Sequence, residues 1–197
     1  MSKSASPYKK TSRATAAAFA AMGLFTCATL VGCGGASGTE YEGVYNVSRY
    51  AISLDDCDVE ADEDQAIENW MLFVKNRKVD GRSVVLADLC FDDAECDAAM
   101  ADASIGDVLW TFISGSDADG WSGIDGGAQL GANNQCVDGI YTEIELTRPA
   151  TDALRIEILN YPVEPFDAGP GGDCSNVAQH ALLDACNGHA VLDAVLN

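Results

Sequence analysis

The clearest pattern of apolar and polar positions lies between residues 140 and 161. Over 140–146 the even-numbered residues are apolar or threonine, and the odd-numbered ones are tyrosine or glutamate. The pattern returns over 154–159, after a break at residues 148–152. A period of two puts successive side chains on opposite faces of a strand. The sequence therefore predicts an antiparallel hairpin with one face in the core.

Hydrophobicity and charge also predict the register of this hairpin. Opposing Leu146 with Leu154 places apolar residues across from each other on the core face. The same register places Glu145 opposite Arg155 on the other face, where unlike charges attract. We therefore expect Leu146 and Leu154 to be partners.

Five further segments are rich in β-branched and aromatic residues, which favour strands. They are residues 43–53, 70–74, 83–87, 108–114 and 121–124. The Asp80-Gly81 pair stands between the second and third segments. It is typical of a type I′ hairpin turn, in which both central residues need positive φ. We expect a second hairpin here.

Two segments predict helices. Residues 92–104 combine alanines with early acids, which suit the positive end of a helix dipole. Residues 177–185 have an amphipathic pattern that Asp173 or Ser175 could cap. The final run, 189–196, fits either a strand or a short second helix.

Together these segments predict a mainly β fold, an antiparallel β-barrel or sandwich with one or two short disulfide-tethered helices. About 160 residues suffice for one hydrophobic core. We therefore expect residues 40–197 to form a single disulfide-stabilised β-rich domain.

The N-terminal segment has the pattern of an export signal. Its only charged residues are basic, and no charge occurs from Ala14 to Val31. A basic start followed by an apolar stretch and small residues is typical of secretory signal peptides. An uncleaved membrane anchor is an alternative, because this stretch is at the lower limit of what spans a bilayer. An ordinary secreted protein is another.

Leu30-Val31-Gly32-Cys33 resembles the lipobox of bacterial lipoproteins. The resemblance implies that residues 1–32 are a cleaved signal peptide and that Cys33 carries acyl chains such as palmitate. Residues 33–39 would then be the lipidated cysteine and a short tether. The residue that follows Cys33 is Gly34 and not an aspartate, which resembles outer-membrane lipoproteins more than inner-membrane ones. The implied location is therefore the bacterial outer membrane, on its periplasmic or surface face.

Charge restricts the partners. The chain has 31 acidic and 11 basic residues, a net charge of −20. Four basic residues and no acids precede Cys33, so the mature chain has a net charge of 7 − 31 = −24. So acidic a domain repels polyanions, which excludes nucleic acid as a partner.

The cysteines support an oxidising compartment. Of eight cysteines, Cys27 lies in the signal and Cys33 would carry lipid. An even number then remains, which predicts three disulfides of undetermined connectivity. The six candidates are Cys57, Cys90, Cys96, Cys136, Cys174 and Cys186.

Positive charge in the domain is concentrated around one predicted hairpin turn. The residues that we call the basic patch are Lys75, Arg77, Lys78 and Arg82. They are a candidate interaction patch for an envelope protein or a glycan. The alternative is that they only protect an exposed sheet edge from pairing.

The sequence indicates no catalytic residue, no metal site and no cofactor. The acids of 55–64 lack the glycine and the final glutamate that a calcium-binding loop needs. Cys174, His180, Cys186 and His189 lack zinc-site spacing, and an oxidising compartment favours disulfides over thiolate ligands.

Two classes of function remain. The first is a membrane-anchored binding or structural module of the cell envelope, which is not an enzyme. The second is a small exported hydrolase that cleaves glycans with paired carboxylates. The lack of a catalytic motif and of a distinguishable carboxylate pair favours the first.

Overall fold

The computed structural model describes residues 37–54 and 63–197. The predicted signal peptide, Cys33 and Cys57 lie outside these residues. Among the described residues, no helix has the length and apolar character needed to cross a membrane.

Eleven strands and one α-helix follow one another along the described chain. They are β1 (Gly43–Leu54), β2 (Glu63–Asp64), β3 (Met71–Val79), β4 (Arg82–Cys90), α1 (Asp93–Asp102), β5 (Trp110–Phe112), β6 (Ser114–Ser116), β7 (Gly120–Leu130), β8 (Gln135–Ala150), β9 (Ala153–Val163), β10 (Phe166–Asp167) and β11 (Gly188–Leu196). Three short 3₁₀ turns, Thr39–Tyr41, Ala132–Asn134 and Val177–Gln179, complete the elements.

The strands form a nearly closed antiparallel barrel. Their order is β5-β4-β3-β1-β11-β9-β8-β7-β6, with β2 paired to β1 and β10 paired to β8. Between β5 and β6, the Ile113 N–H donates to the Ser122 carbonyl of β7 over 2.9 Å. Residues 110–116 therefore pair with β4 in their first half and with β7 in their second half. The prediction of a mainly β antiparallel fold is confirmed, and the architecture is a barrel.

Apolar side chains fill the barrel interior. They come from every long strand and from the segment before β1. The buried members are Tyr41, Tyr45, Leu72, Val74, Val85, Ala87, Phe112, Trp121, Ile144, Leu146, Leu154, Ile156, Leu192 and Ala194. Because the interior is filled, a ligand would bind on the outer faces or at the two ends of the barrel.

One end of the barrel carries the β3–β4, β6–β7 and β8–β9 turns, and we call it the plugged end. The 3₁₀ turn Thr39–Tyr41 lies there, and Tyr41 is 1% exposed. The Tyr45 hydroxyl donates to the Tyr41 carbonyl over 2.9 Å. The segment that precedes β1 is thus part of the core.

Two outer faces of the barrel are also covered. Helix α1 lies over the outward side chains of β3 and β4, which include Phe73 and Leu86. Phe166 and Val177 cover the outward Tyr141 and Tyr161 of β8 and β9. Each of these strands is therefore apolar on both faces where it is covered.

The predicted β3–β4 turn, helix α1 and final strand are found. Asp80 and Gly81 have φ of 50° and 80°, as a type I′ turn requires. Helix α1 begins after Asp92, whose carboxylate accepts the Glu95 N–H over 2.8 Å. Of the two alternatives for residues 189–196, the strand is correct.

The amphipathic helix predicted over 177–185 is wrong. Only the 3₁₀ turn Val177–Gln179 forms, and the chain then follows the edge of β9. The Leu182 N–H donates to the Pro162 carbonyl over 2.9 Å, and Ala181 forms a β-bridge with Val163. The apolar residues of 177–185 pack on the outer face of β8 and β9, and this packing outweighs the helical pattern of their sequence.

The β8–β9 hairpin exists, but its predicted register is wrong by two residues. Leu146 lies opposite Ile156, and Glu145 lies opposite Glu157. Strand β8 continues to Ala150 with a bulge, so the turn is shorter than the sequence indicated. A shift of two residues keeps the same side chains in the core, so hydrophobicity alone does not distinguish the two registers.

The predicted core face of β8 also changes along its length. Ile140 is 43% exposed, whereas its neighbour Tyr141 is buried. The reason is the outer cover, which makes the opposite face of the strand the buried one at this end.

Candidate functional site

The basic patch is divided by the pleat of β3. Leu72 and Val74 point into the barrel, whereas Met71 and Phe73 point outward. By the same alternation Lys75 and Arg77 belong to the outer face. Lys78 belongs to the inner face, beyond the filled interior.

Each lysine of the patch has a polar neighbour. The Lys75 ammonium lies 3.2 Å from the Glu42 carboxylate. The Lys78 ammonium donates to the Ser83 hydroxyl. The structure thus joins Lys75 to the segment before β1, and it leaves Arg77, Lys78 and Arg82 around the β3–β4 turn.

A groove lies between this turn and the end of helix α1, and we call it the hairpin groove. Its volume is about 430 Å³. Its lining residues are Arg77, Lys78, Val79, Leu86, Asp102, Ala103, Ser104 and Ile105. Val79 and Ile105 are 38% and 50% exposed, so two apolar side chains of the lining are open to solvent.

Helix α1 positions one wall of the hairpin groove. The Cys90–Cys96 disulfide joins the first turns of the helix to the end of β4. At its other end, the Arg77 guanidinium donates to the Ala101 carbonyl over 2.9 Å. A cation at this position also interacts favourably with the negative end of the helix dipole. Arg77 is therefore partly structural.

The charge around the hairpin groove differs from that of the domain. The residues around the groove include three basic ones, Arg77, Lys78 and Arg82, and three acids, Asp80, Asp102 and Asp107, whose carboxylate accepts from the Ser104 hydroxyl. The local balance is 3 − 3 = 0, against 7 − 31 = −24 for residues 33–197. The groove is thus a nearly neutral, amphiphilic site on a strongly acidic protein. Sequence reasoning found its charges but not Ile105, for which no periodic signal exists.

A second feature lies on the outer face of β8 and β9. The Tyr141 and Tyr161 hydroxyls both donate to the Glu143 carboxylate over 3.4 Å. Burial raises the pKa of both tyrosines, and the negative charge of Glu143 raises it further. This pair of tyrosines around one carboxylate was not predicted, although the Tyr-x-Glu spacing places both side chains on one face.

Further carboxylates continue this face. Glu145 lies opposite Glu157, and the Glu157 carboxylate lies 2.8 Å from the His189 imidazole. A shallow groove of about 320 Å³ lies beside β8, and Glu143, Glu145 and the exposed Ile124 contribute to its lining. We call Glu143, Glu145 and Glu157 the acidic stripe.

The two histidines lie in different settings. The His180 ring stacks on Phe166, with centroids 4.3 Å apart, whereas His189 is buried beside Glu157. Within residues 37–54 and 63–197, no three His, Cys, Asp or Glu side chains are arranged to hold a metal ion.

Five of the six candidate cysteines are described, and all five are in disulfides. Cys90 bonds to Cys96, and Cys136 bonds to Cys174. Cys186 is also disulfide-bonded. The sixth candidate, Cys57, lies outside the described residues.

Comparisons of the chain with protein-family models, curated proteins and solved structures find no match.

Proposed function

We propose that this protein is an exported lipoprotein, anchored through Cys33 to the bacterial outer membrane, that acts as a binding or structural module of the cell envelope. The hairpin groove is its candidate interaction surface for an envelope partner. The protein has no catalytic role in this proposal.

The observation that carries the proposal is the position of the first described residues. Tyr41 is buried in the core, and Gly38 lies against Val85. Only residues 34–36 separate this folded segment from Cys33. A barrel that begins so close to the lipobox cysteine suits a protein whose mature N-terminus is that cysteine.

Two further features support the proposal. The disulfides of the domain agree with export by a signal peptide, because disulfides persist in exported proteins. The filled interior favours contacts made by the outer surface, because a ligand inside the barrel would have to displace core side chains.

Intact mass tests the proposal. We expect protein purified from membranes to lack residues 1–32 and to carry an acyl adduct on Cys33. The other six cysteines should be alkylated only after reduction. Cys33→Ala is the control and should abolish the adduct. A wild-type mass that includes the first 32 residues would contradict the lipoprotein assignment.

A second candidate is a glycan-cleaving hydrolase that uses the acidic stripe. The specific observation in its favour is that two carboxylates of the acidic stripe, Glu143 and Glu145, line one groove. Two carboxylates on either side of a scissile bond are the usual machinery of glycoside hydrolysis.

Release of reducing ends from purified peptidoglycan tests this second candidate. Turnover that disappears in Glu145→Gln but persists in the control Glu164→Gln would establish the hydrolase. No turnover by the wild-type protein would exclude peptidoglycan as a substrate.

A further inference from the structure

The N-terminal segment and the hairpin groove lie at the same end of the barrel. A Cβ added to Gly38 would approach Val85 of β4 and Asn76 of β3 at 2.5 and 2.6 Å, so the backbone of Gly38 is in close contact with the β3–β4 hairpin. The Ser37 hydroxyl donates to Asp117 in the β6–β7 turn. The chain therefore enters the domain at the plugged end.

The length of chain before Ser37 limits how far this end can lie from the membrane. Four peptide steps join Cys33 to Ser37. Fully extended, they reach about 14 Å. If Cys33 is lipidated, the plugged end must face the bilayer closely, and the opposite end must face away.

We propose that the hairpin groove docks on the phospholipid surface of the membrane that holds the anchor. Val79 and Ile105 enter the boundary between headgroups and acyl chains. Lys78 and Arg82 contact lipid phosphates, and their alkyl stems lie along the apolar layer. This inference rests on the proposed lipidation of Cys33.

Charge explains why this part of the plugged end leads. The acidic domain as a whole is repelled by anionic headgroups. The other two turns of the plugged end contain acids that oppose contact with anionic headgroups. They are Asp117 and Asp119 in the β6–β7 turn and Asp152 in the β8–β9 turn. The hairpin groove combines a balanced local charge with two exposed apolar side chains, so the barrel approaches the bilayer with this edge.

Because the lipid anchor already holds the domain at the membrane, a weak contact between the hairpin groove and the bilayer is sufficient. A short tether raises the effective concentration of the second contact to the millimolar range. The groove therefore need not bind vesicles strongly by itself, and two apolar side chains with two cations suffice to orient a domain already held at the surface.

Hydrogen exchange on the full mature lipoprotein tests the docking. The protein is placed in nanodiscs of equal parts phosphatidylethanolamine and phosphatidylglycerol, after its mass has shown the acyl adduct. We compare the wild type with Val79→Asp and with Leu183→Asp. Leu183 is the matched control, because it is an exposed apolar residue far along the chain from the groove.

The readout is the exchange of the amides of residues 104–106, which lie outside the substituted positions. We expect exchange several-fold slower in the wild type and in Leu183→Asp than in Val79→Asp. A double variant, Lys78→Glu with Arg82→Glu, should resemble Val79→Asp, and it keeps the test valid if Val79→Asp fails to fold.

The outcomes separate the two proposals. Acylated wild-type protein whose 104–106 exchange equals that of both groove variants would overturn the docking while leaving the lipoprotein assignment intact. Protein without an acyl adduct would overturn both. Because the nanodiscs contain no envelope protein, slow exchange in them also excludes such a protein as the required occupant.

Discussion

Gly123 of β7 lies directly against Thr111 of β5. A Cβ at position 123 would lie 2.2 Å from the Thr111 carbonyl oxygen, which is far inside contact distance. This approach occurs where residues 110–116 join β4 to β7 and nearly close the barrel. Closure at this point therefore depends on a residue without a side chain.

We predict that Gly123→Ala destabilises the barrel. The methyl group must displace the β5 backbone, and overpacking of this kind costs about 1–3 kcal/mol or more. Urea unfolding measures the loss. Gly127→Ala is the control in the same strand, because no atom lies within 4 Å of the added Cβ. A loss of equal size in both variants would show that strand flexibility, and not the close approach, is responsible.

The register of the β8–β9 hairpin gives a second prediction. Glu145 faces Glu157, and like charges directly opposite each other are unfavourable. We expect Glu145→Gln to raise the free energy of unfolding by about 0.2–1 kcal/mol at low salt. The register with Arg155 opposite Glu145 predicts the reverse, a loss of stability. Repeating the unfolding at high salt should shrink the gain.

The tyrosines around Glu143 give a prediction for alkaline pH. Burial, followed by the charge of Glu143, raises the pKa of Tyr141 and Tyr161 in the folded state. Their stabilising contribution is thus fully present below about pH 10, the ordinary tyrosine pKa, and is lost as the pH rises through the raised values.

Glu143→Gln should lower both of these tyrosine pKa values. A titration followed by tyrosinate absorbance measures the change. Glu145→Gln, on the same face, is the control and should leave the titration unchanged. Identical titrations of wild type and Glu143→Gln would contradict a role for the carboxylate.

The disulfides should contribute unequally to stability. The Cys136–Cys174 bond closes 38 residues and the Cys90–Cys96 bond closes 6. Loop entropy assigns them about 4 and about 2 kcal/mol. Paired Cys→Ala variants, compared by urea unfolding, measure the difference. A larger loss from the shorter loop would mean that docking of helix α1 matters more than chain entropy.

Peptide mapping should identify the third disulfide. Cys186 is bonded, and the other described cysteines are bonded to each other. If Cys33 carries lipid and Cys27 is removed, Cys57 is the remaining candidate. We expect a peptide that joins Cys57 to Cys186 in protein digested without reduction. A free Cys57 thiol would contradict the parity argument.

Local patterns in the sequence determined most of the elements. The period of two in β8 and β9, the Asp80-Gly81 turn and the acidic start of α1 depend on neighbours in the chain, so they can be recognised without a tertiary structure. The same holds for the even number of cysteines and for the concentration of positive charge around the β3–β4 turn.

The tertiary structure alone decided the barrel closure, the hairpin register, the fate of residues 177–185 and the hairpin groove. Each depends on groups distant in sequence. Gly123 must meet Thr111, the chain after Val177 must pack on β8 and β9, and Ile105 must come near Val79. Hydrophobic periodicity predicts which face of an element is buried, but it does not predict which other element covers that face. That information lies in long-range packing, which no local pattern encodes.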